Sequence, residues 1–239
     1  MIKSVFRYGQ LSSTNDEALR LANSGAPHGT IVTAVRQTAG RGRQGRSFFS
    51  EEGGSYVTLL LRPQGEPANW LLTTSLAGLA VCDAAAACCG ADCRIKWPND
   101  VQLNGKKFCG ILTQGFFEGA AILLVGIGCN VAQKTFPPEL AEIATSLAIE
   151  GYSVSVEQFL NALIRALDHW VGSPPAREQV ISDLAKRSSV LGKEILLITP
   201  QGKQEALAVG LDPATGGLIV QQGGVRRIIT SGEISLRVN

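Results

Sequence analysis

The sequence predicts an α/β (α+β) protein with a mixed β-sheet domain over residues 1–187 and a small β-barrel over residues 188–239. Three observations point there. Helix-like and strand-like stretches follow one another through the first part of the chain, as a sheet covered by helices requires. Trp70 to Gly90 is rich in Ala and Leu and holds no proline, so it reads as a long buried helix. After Ser188 only short β-type segments remain, cut by Gly, Pro and Asp turns.

In chain order, Ser12-Ser13-Thr14-Asn15-Asp16-Glu17 opens the first helix. Ser13 with Asp16 has capping-box spacing, and Ala18, Leu19, Leu21 and Ala22 supply an apolar face before Gly25. Thr30 to Arg36 is β-branched and reads as a strand. A Gly- and Arg-rich loop runs from Gln37 to Gly54, and a second strand from Ser55 to Arg62. From Cys93 to Val131 the pattern is that of strands. Asn104-Gly105 marks a hairpin because both residues tolerate positive φ, and a second turn is expected at Glu118-Gly119. Ala120 to Val131 reads as a central buried strand. A helix over Val156 to Val171 carries Phe159, Leu160, Leu163, Ile164, Leu167 and Trp170 at helical spacing, a stripe that belongs in a core. Short strands at 194–199, 205–210, 217–221 and 225–229 complete the chain.

Twenty-two Lys and Arg face twenty Asp and Glu, a balance that excludes a surface built to coat nucleic acid or anionic lipid. An anionic ligand must therefore be met by a local cluster of positive charge. The N-terminal residues lack the layout of a signal peptide, and no apolar run reaches spanning length, so a soluble cytoplasmic protein without membrane partners is expected. Of the six cysteines, Cys82, Cys88, Cys89 and Cys93 crowd together, but not at metal or redox spacing, and read as core packing.

Three motifs carry chemistry. Gly40-Arg41-Gly42-Arg43-Gln44-Gly45-Arg46 contains a formal G-x-G-x-x-G, yet Ser47-Phe48-Phe49-Ser50 after it is poor helix material, so a dinucleotide fingerprint is rejected. The loop instead offers three guanidinium forks on a flexible backbone, suited to a phosphate or carboxylate and expected to be mobile until one arrives. Lys96 ends a short strand and is pinned by Trp97-Pro98, a placed point charge suited to an anionic transition state, although taken singly a strand-end lysine more often reaches to solvent. Gly126-Ile127-Gly128-Cys129-Asn130 ends the most apolar strand, where glycines let a flat ligand lie on the backbone.

Together these segments resemble the bacterial biotin–protein ligases. Ser13-Thr14-Asn15, Gln37 to Arg46, Lys96-Trp97-Pro98-Asn99-Asp100, Gly105-Lys106-Lys107 with Gly110-Ile111-Leu112, Gly126 to Asn130, Ala144-Thr145-Ser146-Leu147 and the closing Ser231 to Leu236 stand in that family's order and spacing. The resemblance implies a biotin/lipoate-ligase catalytic domain with an SH3-like barrel. It implies biotin contacts from Ser13, Thr14, Asn15, Gln37, Arg41, Gly42, Arg43 and Lys96, and ATP or adenylate contacts from Arg41, Arg43, Arg46, Phe48, Lys107 and Asn130. Lys96 and Arg43 would be the catalytic pair, and Phe48, where many relatives carry Trp, would stack on adenine. The implied partners are biotin, ATP with Mg2+, and the biotin carboxyl carrier domain of a carboxylase, with no tightly bound prosthetic group. The magnesium ligands are not identified, and a homodimer stays open. Relatives that double as repressors carry an N-terminal helix-turn-helix domain; this sequence opens on the catalytic segment, so specific DNA binding is not expected.

The implied reaction brings two anions together, biotin's carboxylate and the α-phosphate of ATP. Cations must offset their repulsion, and an ordering loop must keep water from the mixed anhydride. An acceptor lysine then displaces AMP, and no enzyme nucleophile is needed. Two alternatives are weighed against this reading. A lipoate–protein ligase shares fold and reaction type but not the Gly-Arg loop or the Lys-Trp-Pro-Asn-Asp run. A nucleic-acid-binding module fits poorly with the charge balance and with the lack of aromatic–basic interleaving.

Overall fold

The computed structural model describes residues 1–64, 70–117, 119–199, 202–230 and 232–236. Seven strands form the first sheet, in the order β1-β2-β3-β7-β6-β5-β4. They are β1 (Ser4–Leu11), β2 (Thr30–Gln37), β3 (Gly54–Leu61), β4 (Arg94–Lys96), β5 (Asp100–Leu103), β6 (Lys106–Phe116) and β7 (Ile122–Asn130). Only β1 and β2 run parallel, joined by the crossover helix α1 (Thr14–Asn23); every other neighbouring pair is antiparallel. The sheet is thus mixed, as expected.

Alternation along the central strands decides what each face holds. Val57, Leu59 and Leu61 of β3 and Val125, Ile127 and Cys129 of β7 pack beneath α2 (Thr73–Cys89), α4 (Val156–Leu167) and α5 (Arg177–Arg187), with the one-turn α3 (Pro138–Ala141) between α2 and α4 in the chain. The opposite face is thinner. Leu60, Ile122 and Leu124 meet Ala18 and Ala22 of α1, and beyond them β7 presents Gly126 and Gly128. Replacing large side chains by two glycines leaves a floor of bare backbone at that end of the sheet.

Helix α2 is apolar all round because it lies between the sheet and other helices, and it stops at Gly90, whose φ of 72° is left-handed. Its first helical residue is Thr73, so the expected start at Trp70 is corrected: Trp70 to Leu72 form a turn ahead of it. The expected capping box at α1 is half made. Ser13 Oγ accepts from the Asn15 N–H at 3.2 Å, but Asp16 turns away to pair with Arg41. Ser155 and Gln158 close a full box on α4. That helix ends at Leu167, short of the expected Val171, in a wider turn over Asp168–Gly172, where Trp170 Nε1 donates to Asp83. The β5–β6 hairpin turns on Asn104 (φ 49°) and Gly105 (φ 81°), as their tolerance of positive φ predicts. Of the second expected turn, Glu118 lies outside the described residues and Gly119 has φ 86°. Burial pushes the Cys82 thiol up to about 12 and Cys129 well above its usual range, so both stay protonated and serve as core.

The C-terminal strands β8 (Glu194–Thr199), β9 (Gly202–Leu211), β10 (Leu218–Gln222), β11 (Val225–Ile229) and β12 (Glu233–Leu236) form an antiparallel sheet in the order β11-β10-β9-β8-β12. It has its own core of Val190, Ile195, Leu197, Ala206, Ala208, Leu218, Val220 and Ile234, and one outsider joins it, Trp97.

Candidate active site

The glycine floor, the N-terminus of α1 and the Gly-Arg loop converge on one small cavity. Ser13, Thr14, Asn15, Gln37, Arg41, Gly42, Arg43, Phe48, Asn99, Lys107, Gly110, Gly126 and Gly128 are among its lining residues. Its polar groups are locked to one another. Gln37 Oε1 accepts from the Thr14 N–H at 2.7 Å and from Thr14 Oγ1 at 3.0 Å, while its Nε2 donates to Ser50 Oγ. Thr58 Oγ1 donates to Asn15 Oδ1 at 2.6 Å, and Asn15 Nδ2 donates to Gln114 Oε1 at 2.7 Å. A ligand therefore meets donors and acceptors whose orientation is already set, which lowers the entropy it must lose on binding.

The loop is a compact antiparallel turn. Gly42 N–H donates to Arg46 O at 2.7 Å, Phe48 N–H to Gly40 O, and Arg41 bridges to Ser47. Two side chains tether it across the cavity: Arg41 to Asp16 at 2.8 Å, and Arg43 Nη1 to Asn99 Oδ1 at 2.9 Å. The first pair is exposed and contributes at most about 1 kcal/mol, so the tether is easily exchanged for a bound anion.

Phe48 holds an unexpected place. A Cβ on Gly128 would lie 2.5 Å from its ring, and one on Gly110 at 3.0 Å, so the ring rests on two glycines that face each other across β6 and β7. Asn15 covers Gly126 in the same way, at 2.4 Å from a Cβ there. The floor that the glycine spacing reserves for a flat ligand is thus covered by the protein's own side chains. The cavity left is only about 50 Å³. Small-molecule sites run to several hundred, from roughly 300 Å³ upward, more than this cavity alone holds while Phe48 rests on its glycines.

A second cavity of about 140 Å³ adjoins the first and holds Arg46, Lys96, Trp97 and Asp100, with Gly42, Arg43, Phe48, Asn99 and Lys107 shared between the two. Lys96 is half-buried, opposite Asp100 across β4 and β5. Lys107 Nζ bonds Asp100 at 2.8 Å and lies 5.9 Å from the centre of the Phe48 ring. Trp97, buried in the C-terminal core, anchors the turn that follows Lys96, and Ile234 of β12 reaches this cavity. The C-terminal sheet thereby clamps the lysine's loop.

Of the residues singled out in the sequence, Lys96 and Arg46 line the second cavity rather than the first. Asn130 is not among the lining residues of these cavities: it is buried, with its Nδ2 given to Thr145 O at 3.0 Å. Asn99, Thr58 and Gln114 carry no role that the sequence alone discloses, and Asp16 reads there only as a capping partner of Ser13. Asn99 and Asp100 stand in the Lys96-Trp97-Pro98-Asn99-Asp100 run, which is the signal that could find them; Thr58 and Gln114 carry none. Among the described residues no group of three or more His, Cys, Asp or Glu is placed to hold a metal, and no helix is long and apolar enough to cross a membrane.

Comparison with known proteins agrees with this geometry. Residues 8–131 match the model of the biotin/lipoate A/B protein ligase family, and residues 190–237 match that of the biotin protein ligase C-terminal domain. A bifunctional ligase/repressor of Bacillus spizizenii is 46% identical over 143 residues, which cover 58% of this chain but only 44% of that protein, so the chain spans less than half of that relative's length. A biotin–[acetyl-CoA-carboxylase] ligase of Paracoccus denitrificans is 35% identical over 236 residues, covering 93% of this chain and 96% of that one. The solved biotin protein ligase of Aquifex aeolicus in complex with biotin and ATP superposes over 100% of both chains with a TM-score of 0.82 at 30% identity. The chain belongs to the biotin/lipoate A/B protein ligase family.

Proposed function

We propose that the protein is a biotin–protein ligase: it activates biotin with ATP to biotinyl-5′-AMP and pyrophosphate, then passes biotin to a lysine of a biotin carboxyl carrier domain. The observation that carries this reading is the pair of adjoining cavities. Arg43 and Lys107 belong to both; the first adds fixed neutral donors and acceptors beside Arg41, and the second adds Arg46 and Lys96. That division suits a neutral ring with an acidic tail on one side and a polyphosphate on the other.

Ser13, Thr14, Asn15 and Gln37 would hold the polar ring of biotin. Its carboxylate would meet Arg43 and Lys96 where the cavities join. Arg46 and Lys107 would face the phosphates, and Phe48, lifted from its glycines, would stack on adenine with Arg41 and Gly42 closing above. Preorganised cations at a developing negative charge are the largest single contribution such a site can make. No enzyme nucleophile enters: the carboxylate attacks phosphorus, and the acceptor amine attacks the acyl carbon. Magnesium, which Asp100 is ill placed to bind while paired with Lys107, would arrive on the ATP phosphates.

Two domains divided near 187/188 suit the separate C-terminal core, to which the first domain lends Trp97. The test is incubation with biotin, ATP and a carrier domain. Biotin on the carrier's lysine is expected; labelling by lipoate at the same rate would reassign the chain within its family.

A further inference from the structure

We propose that a third cavity, between the first turn of α2 and the turn over residues 212–217, is the passage by which the acceptor lysine reaches the acyl-adenylate. The proposal rests on the ligase reading above. This cavity, of about 200 Å³, has walls from both parts of the chain: Thr74 and Ser75 from α2, Thr113 from β6, and Thr215 and Thr230 from turns of the C-terminal part. It shares Arg43 and Asn99 with both other cavities, so all three meet at that hydrogen-bonded pair.

The linings differ in chemistry. The first cavity sets Arg41, Arg43 and Lys107 beside its fixed neutral groups and the second adds Arg46 and Lys96, which leaves the third, with Arg43 alone, for the remaining substrate. Its lining offers hydroxyls and apolar surface (Leu71, Trp97, Leu112), and Arg43 is the one charged side chain among its described lining residues. Apolar walls suit the four methylenes of a lysine, and Leu71, half exposed, stands at the surface. With no carboxylate to stabilise an ammonium and a guanidinium at the inner end, the passage favours the uncharged amine, which is the nucleophilic form.

The step balances without an enzyme base. The amine nitrogen attacks the acyl carbon of biotinyl-AMP, the new C–N bond forms, and the C–O bond to phosphate breaks. AMP leaves with that electron pair, and one amine proton passes to solvent.

The test separates the two half-reactions. Ser75 lines neither of the other two cavities, so Ser75→Phe should block the passage alone. Biotin-dependent pyrophosphate release should stay at the wild-type rate, and so should discharge of the adenylate by the small nucleophile hydroxylamine. Transfer to the carrier domain should slow about tenfold to a hundredfold, the loss expected when a reacting group is misplaced. Ser75→Cys, a change too small to disturb folding, treated with N-ethylmaleimide beside equally treated wild type, should give the same split if the Phe variant melts early. Unchanged transfer in the maleimide-treated protein, or equal loss of both half-reactions, would overturn the proposal. Failure of the ligase reading itself would show separately, as wild-type protein that releases no pyrophosphate with biotin.

Discussion

Arg43 Nη1 donates to Asn99 Oδ1 at 2.9 Å, and this one pair, 56 residues apart in the chain, stands at the junction of three cavities. Asn99 is itself held: its Nδ2 donates to Asp100 Oδ1 and to Ile111 O. The loop arginine therefore docks on a rigid acceptor in the sheet, which makes the contact a latch.

The latch gives the first prediction. A hydrogen bond from a charged donor contributes about 1.5–3 kcal/mol, so Asn99→Ala should release biotinyl-AMP roughly tenfold to a hundredfold faster than wild type. Arg43→Gly, which also removes the charge, should release it faster still and label lysines of bystander proteins. Adenylate escape is read by trapping in a chase experiment; an escape rate equal to wild type in both variants would remove the latch from the mechanism.

Lys96 should matter to chemistry and little to folding. It is half-buried in the cation-lined cavity, and loss of one preorganised donor costs about a hundred- to a thousandfold in rate. Lys96→Ala should slow single-turnover pyrophosphate release on that scale with an unchanged melt. Lys96→Arg should restore only part of the rate, since the fork places its charge differently. A well-folded Lys96→Ala enzyme near wild-type speed would make this lysine an ordinary strand-end charge.

Gly128→Ala probes the seat of Phe48. The added methyl would meet the ring at 2.5 Å and push it off β7. Aromatic stacking contributes about 0.5–1.5 kcal/mol, so KM for ATP should shift by roughly threefold to tenfold while biotin affinity holds. An equal shift for both ligands would mean that the floor serves biotin instead.

Glu17 predicts a pH effect on stability. Arg20 and Tyr8 hydrogen-bond its carboxylate and hold its pKa down at about 2. A group whose folded pKa is depressed stabilises the fold above its unfolded value, near 4.3, and that stabilisation disappears as pH falls through the folded value. Melting of wild type should therefore decline between about pH 4.5 and 2 more steeply than that of Glu17→Gln. Parallel curves would show that this pair, which ties β1 to α1, adds nothing.

What the sequence discloses depends on how local its cause is. The Asn104-Gly105 hairpin, the β7 strand and the end of α2 at Gly90 follow from neighbouring residues, and all were legible. The motif residues Ser13, Thr14, Gln37, Arg41 and Arg43 do gather, because each carries its chemistry in its own side chain. Contacts across the fold were not legible. Nothing in the spacing says that Asn99 accepts from Arg43, that Trp97 belongs to the C-terminal core, or that Asn130 spends its amide on Thr145. The glycines at 126 and 128 correctly signalled close approach, but not that Asn15 and Phe48 are what approach.

The most direct measurement is pyrophosphate release from ATP by the purified wild-type protein with biotin, lipoate, octanoate or no acid. The locked Thr14–Gln37 and Asn15–Gln114 network beside the Arg43–Asn99 junction predicts release with biotin alone. Release that is independent of added acid, or equal with lipoate, would contradict it.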